Sequence, residues 1–75
     1  MAKIIFHRCE ENVRKLAFVK LLIENAGLSM MVAKNMADKL VDNKEIIEVE
    51  IADEKLARQV LEEAKTLKIF GKVEY

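Results

Sequence analysis

The sequence predicts an α+β domain of two layers: a three-stranded sheet with three helices on one face, in the order β-α-α-β-α-β. Three observations predict it. "EIIEVEI" at 45–51 alternates Ile47, Val49 and Ile51 with Glu48 and Glu50, the period of a strand with one buried and one solvated face. Three stretches, 10–27, 30–41 and 54–67, have helical character and are punctuated by Gly27, Ser29 and Asp53. Short runs rich in β-branched and aromatic residues, "KIIFHR" at 3–8 and "KIFGKVEY" at 68–75, open and close the chain as strands.

Each element follows from its residues. In "EENVRKLAFVKLLIENAG", Glu10 and Glu11 sit where a helix N-terminus favours negative charge. Gly27 stops the helix, because glycine adopts the left-handed conformation without a Cβ clash. Leu28 can then pack back on Ile23, and Ser29 can cap the next helix by accepting from a free backbone N–H. The second helix, "MMVAKNMADKLV", carries Ala33, Met36, Ala37, Leu40 and Val41 at core spacing. "DNK" at 42–44 is a turn. Asp53 caps a third helix with Leu56, Val60, Ala64 and Leu67 inward. The last strand places Ile69, Val73 and Tyr75 on one face. The expected core is Phe18, Leu22, Met36, Leu40, Val49, Ile51, Leu56, Val60 and Val73.

Composition bounds the function. The 75 residues make a single domain over 1–75, 52% hydrophobic and 35% charged, too apolar for disorder. Thirteen basic and thirteen acidic residues cancel. A direct nucleic-acid binder needs a basic surplus on one face, and few aromatics are present to stack on bases. No apolar stretch nears the ~20 residues that span a bilayer, so no membrane role is expected. Cys9 is the only cysteine, which implies a reducing compartment. The short apolar run at the start lacks the build of a signal peptide, so the expected location is the cytoplasm.

The first helix raises the functional question. "LAFVKLLI" at 16–23 has one polar residue, Lys20, where a surface helix should show one apolar stripe. At about 100° per residue, Ala17, Phe18, Leu21 and Leu22 share one side, and Leu16, Val19, Lys20 and Ile23 the other. Met30 and Met31 fall outside the core stripe of the second helix, and exposed methionines suit adaptable binding surfaces. One expectation is that both faces of the first helix are buried, on the sheet and on a neighbouring helix. The other is an exposed apolar patch of Leu16, Val19, Ile23 and Met31, rimmed by Lys20 and Lys34, of the kind that marks partner sites.

"KLAFVKLLIENAGLSMMVAKNMADKLV" resembles the C-terminal domain of the bacterial large-subunit ribosomal stalk protein. Lys15, Ala17, Lys20, Gly27, Leu28, Ala33 and Lys34 match that family's pattern. "IADEKLARQVLEEAKTLKIFGKVEY" is similar to its closing helix and strand. The resemblance implies a domain that contacts GTP-binding translation factors through its first two helices. Carried over by position, that surface is Lys15, Leu16, Val19, Lys20, Leu28 and Lys34, overlapping the patch. Ile23, Glu24, Ser29 and Val32 depart from the pattern. The family's N-terminal dimerisation region and hinge have no counterpart, so the resemblance implies a free-standing relative of the domain.

The adaptor of the Clp protease shares the stalk fold, and "FVKLL" resembles its first helix. That family grips a peptide's N-terminal amine with an Asn-Asp-Asp cluster, where this chain has Glu10, Glu11 and Asn12, and with a late second-helix histidine, where it has "KLVDN".

Other chemistry is sparse. Alternation puts His7 and Cys9 on one face of the first strand, but two ligands do not make a zinc site. Glu48 and Glu50 form a solvated strand face, and no glycine-rich phosphate loop is present. No cofactor or metal is expected, nor an enzyme. The expectation is a protein-binding module using Lys15, Leu16, Val19, Lys20, Ile23, Leu28, Met31 and Lys34. Its partner is a protein, such as a translation factor or ribosome-associated protein, and the chain itself is a monomer or weak homodimer. The alternatives are a peptide-recognising adaptor and a structural homodimer.

Overall fold

A computed structural model describes residues 2–74. Tyr75, expected on the last strand, lies outside the described residues. The elements are β1 (Ala2–Cys9), α1 (Lys15–Ala26), α2 (Met30–Val41), β2 (Ile47–Ile51), α3 (Glu54–Thr66) and β3 (Ile69–Glu74). β1 lies between β2 and β3 and pairs antiparallel with both. The α+β class and the β-α-α-β-α-β order are as the sequence predicts.

The pleat sorts the sheet into two faces. Ala2, Ile4 and Phe6 of β1, Ile47, Val49 and Ile51 of β2 and Ile69 of β3 are buried beneath the helices. Lys3, Ile5, Glu48, Glu50, Phe70 and Lys72 lie on the other face, half-buried or exposed. Phe6 meets Phe18 of α1 edge to face, 5.1 Å between ring centroids, joining the two layers at their centre.

A bulge interrupts β1. Phe6 pairs with Gly71, but the next pair is Arg8 with Phe70, leaving His7 without a partner on β3. The extra residue reverses the alternation after it. Arg8 stacks on Phe70, its guanidinium carbon 4.8 Å from the ring centroid. Cys9 pairs with Ile69 and turns toward the helices, its thiol 3.8 Å from the Leu40 carbonyl. His7 is exposed. The expectation that His7 and Cys9 share a face is therefore corrected, because strict alternation holds only in a strand without a bulge.

Gly71 lies opposite the bulge. A Cβ there would stand 2.2 Å from the Ile5 carbonyl oxygen and 2.9 Å from Phe6 Cα. The two strands approach too closely at this point for any side chain.

The first helix begins later than expected. Glu10 and Glu11 precede it by several residues, so they do not occupy its first turn, which holds no acidic residue. The Glu10 N–H instead donates to the Lys68 carbonyl at 2.9 Å, and the Arg14 N–H donates to the Leu67 carbonyl at 3.2 Å. These bonds tie the β1–α1 connection to the α3–β3 turn. Strand β2 likewise starts at Ile47 rather than Glu45. Lys44 takes a φ of 59° and the Glu45 N–H donates back to the Lys39 carbonyl at 2.9 Å, which keeps 42–46 in the turn.

The other punctuation is as expected. Gly27 sits at φ 67°, in the left-handed region. Ser29 Oγ accepts from the Val32 N–H at 3.2 Å, and Asp53 Oδ1 accepts from the Lys55 N–H at 3.0 Å.

The core differs in detail from the expected set. Phe18, Leu22, Leu40, Val49, Ile51 and Val60 are buried, whereas Met36, Leu56 and Val73 are half-buried. In α3 the buried line runs through Ala57, Val60 and Ala64. In α2 it runs through Ala33, Ala37 and Leu40, with two alanines letting the helix lie close to its neighbours. Phe6 and Ile4, absent from the expected core, are among its largest fully buried side chains.

Candidate functional site

α1 is covered by the sheet beneath it and by both other helices, α2 and α3. Its buried residues are Phe18, Val19, Leu21 and Leu22. At ~100° per residue these sweep an arc of about 160° from Leu21 through Phe18 and Leu22 to Val19. Ala17 falls outside the arc and is exposed. Val19 falls inside it and is only 8% exposed, correcting the expectation that it stands open on the second face. The sequence division put Ala17 with the core and Val19 outside it, because helical spacing within one helix does not say on which flank a neighbouring helix lies. The flank carrying Val19 is also occupied, by α2.

The uncovered side of α1 mixes apolar and charged residues, with Leu16 and Ala17 exposed beside Lys20 and Glu24. Leu16 is 84% exposed, and across the helix pair Met30 and Met31 are 71% and 74% exposed. Between α1 and α2 lies a mostly apolar groove of about 450 Å³, lined by Leu16, Val19, Lys20, Ile23, Met30 and Lys34. The largely buried Val19 contributes to its floor and Ile23 is half-buried, while Lys20 and Lys34 are both exposed. Of the residues singled out in the sequence, five are thus brought together here: Leu16, Val19, Lys20, Ile23 and Lys34.

The others fall elsewhere. Met31 is exposed but does not line the groove, and Met30 takes that place. Met30 stands at the first position of α2, whose entry direction is set by the Gly27–Ser29 junction, and helical spacing does not supply that direction. Leu28 is half-buried and lines a different hollow, beside β2. Lys15 is committed to structure. Its ammonium pairs with Asp38 and donates to Asp42 Oδ2 at 2.7 Å, clamping the start of α1 to the end of α2. Donation to Asp38 and then to Asp42 raises its pKa above the ordinary 10.5. A cation there also complements the C-terminal end of the α2 dipole. Glu10 and Glu11 with Asn12 form an exposed turn ahead of α1.

The groove offers apolar contact and two cations. Among the described residues no group of three or more His, Cys, Asp or Glu could hold a metal ion. Among them, too, no helix is long and apolar enough to cross a membrane.

Fold and groove together define a small α+β domain with an apolar, lysine-rimmed cleft on a helix pair. No protein-family model, curated protein or solved structure matches the chain.

Proposed function

We infer that this chain is a small, non-catalytic protein-binding module that docks an acidic amphipathic helix of a protein partner in the groove between α1 and α2. The observation that carries this is the exposure of Leu16 and Met30 on either side of an apolar cleft with Lys20 and Lys34 exposed beside it. Exposed apolar surface bounded by charge marks interaction sites on small proteins. An amphipathic helix lays its apolar face in such a groove, and acidic residues flanking that face meet the two lysines. Met30 adds a flexible, polarisable contact that adapts to the partner.

The resemblance of 15–41 to the ribosomal stalk domain supports a particular partner class, the GTP-binding translation factors. The module then works in the cytoplasm, where its single cysteine stays reduced.

The test is a titration of the labelled protein with purified bacterial elongation factors loaded with a non-hydrolysable GTP analogue. Amide shifts should move at Leu16, Lys20, Met30 and Lys34. Lys20→Glu should weaken binding about tenfold, and more at low salt than at high salt. Shifts confined to other surfaces would overturn the reading. So would a solution mass that doubles with concentration while the same groove residues shift, because the groove would then be a homodimer interface.

A further inference from the structure

A second hollow lies on another side of the molecule, along the outer edge of β2. We propose that this edge accepts an extended segment of alternating apolar and basic residues, which adds to the sheet as a fourth strand.

The strand order β2-β1-β3 leaves one side of β2 without a neighbour. In an antiparallel ladder, every second residue points its N–H and C=O away from the strand it pairs with. Among the described residues, no backbone hydrogen bond from a loop or helix reaches Ile47–Ile51. A row of donors and acceptors therefore stands open over five residues, about 17 Å of strand. An open edge of this kind is a template for strand addition, which draws affinity from main-chain bonds and specificity from alternate side chains.

The surroundings say which strand fits. Beside the edge is a hollow of about 550 Å³, walled on the helix side by Ala26, Leu28 and Met36. Leu28 and Met36 are half-buried against the core, so the wall is firm. Side chains of an added strand that point toward the helices meet this apolar wall. Those that point the other way stand beside Glu48 and Glu50, the two outer-face residues of β2. Glu48 is 3.2 Å from Lys3 on β1, and Glu50 sits across from Lys3 in the register. Lys3 also lies across from Glu74 of β3, so one lysine faces three carboxylates, and a basic residue on the added strand complements the acid left over on β2.

The same charges exclude a second copy of β2. An antiparallel β2–β2 pair centred on Val49 places each Glu48 against the partner's Glu50, and like charges directly opposite destabilise a ladder. Any other register that keeps the faces matched also sets glutamate face against glutamate face. Charged edge residues of this kind block self-pairing while leaving the edge open to a complementary strand.

The experiment uses the whole chain and a capped octapeptide of alternating lysine and valine. Its controls are the glutamate–valine octapeptide and a lysine–valine octapeptide N-methylated at every residue, which leaves neither edge able to donate. Amide exchange is read residue by residue. With the lysine–valine peptide, the outward-facing amides of Ile47–Ile51 should slow at least tenfold, with shifts at Leu28 and Met36. Neither control should slow them. Glu50→Lys, an exposed change, should weaken the lysine–valine peptide roughly two- to tenfold. It should also let the glutamate–valine peptide bind. Unchanged exchange at millimolar peptide, equal binding of both charge types, or shifts at Leu16 and Lys20 instead of β2 would overturn the proposal. So would protection of β2 that grows with protein concentration in the absence of peptide.

Discussion

Gly71→Ala should be the more damaging of the two glycine-to-alanine changes in this fold. The added Cβ stands 2.2 Å from the Ile5 carbonyl oxygen and 2.9 Å from Phe6 Cα, both backbone atoms of the central strand. Ordinary carbon contacts lie near 3.5–4.0 Å, so β1 and β3 must part by at least about 1 Å. No flexible side chain can yield instead. Overpacking typically costs ~1–3 kcal/mol, and a clash against two backbone strands belongs at or above the upper end. The displaced pairs, Phe6–Gly71 and Arg8–Phe70, flank the bulge that turns Cys9 inward and Arg8 outward. A loss of ~3 kcal/mol is serious for 75 residues, whose whole stability is expected to be about 4–11 kcal/mol. It corresponds to a fall of about 12–24 °C in Tm. Urea unfolding followed by far-ultraviolet circular dichroism measures it, with an unchanged slope showing that the loss is in the native state. A loss below about 1 kcal/mol would refute the close approach of β1 and β3 at the bulge.

Gly27→Ala tests the other glycine by a different mechanism, since no atom lies within 4 Å of its would-be Cβ and only the φ of 67° is strained. About 1–2 kcal/mol is expected in the same assay, and a neutral result would mean that the junction is not left-handed. Val19→Ser should cost about 1–3 kcal/mol and Leu16→Ser within ~0.5 kcal/mol, because one is buried and the other exposed. Equal costs in thermal melts would overturn the assigned faces of α1. Leu22→Ala should cost about 2–5 kcal/mol by cavity formation, read by urea titration. The raised pKa of Lys15 means that its ion pairs stabilise the fold below the ordinary value of 10.5 and stop doing so as pH rises through the higher folded value. The stability difference between the protein and Lys15→Met should hold steady from pH 7 to 10 and shrink above that. A difference that grows with alkalinity would rule out the clamp to Asp38 and Asp42.

The sequence by itself determined the kind and order of the elements. Ile47, Val49 and Ile51 alternate with glutamates whatever surrounds them, and Gly27 with Ser29 closes one helix and opens the next by local backbone chemistry. Local signals also placed the Asp53 cap. They gave Leu16, Lys20 and Lys34 as residues outside the core stripes, because helical spacing alone sets them apart.

Tertiary structure decided what depends on neighbours. Val19 is buried because α2 lies along that flank of α1, and periodicity within one helix does not report where a second helix lies. Glu10 belongs to a connection rather than a helix because its N–H is held by the Lys68 carbonyl, a partner distant in sequence. Lys15 is a clamp because α2 ends beside it. The bulge at His7, and with it the fates of Arg8 and Cys9, arises from pairing with β3, so nothing within 3–8 announces it. Gly71 reads as an ordinary small residue until β1 is laid against it. The same is true of the free edge of β2: the chain spells an acidic strand, and only the order of strands in space leaves that strand without a neighbour.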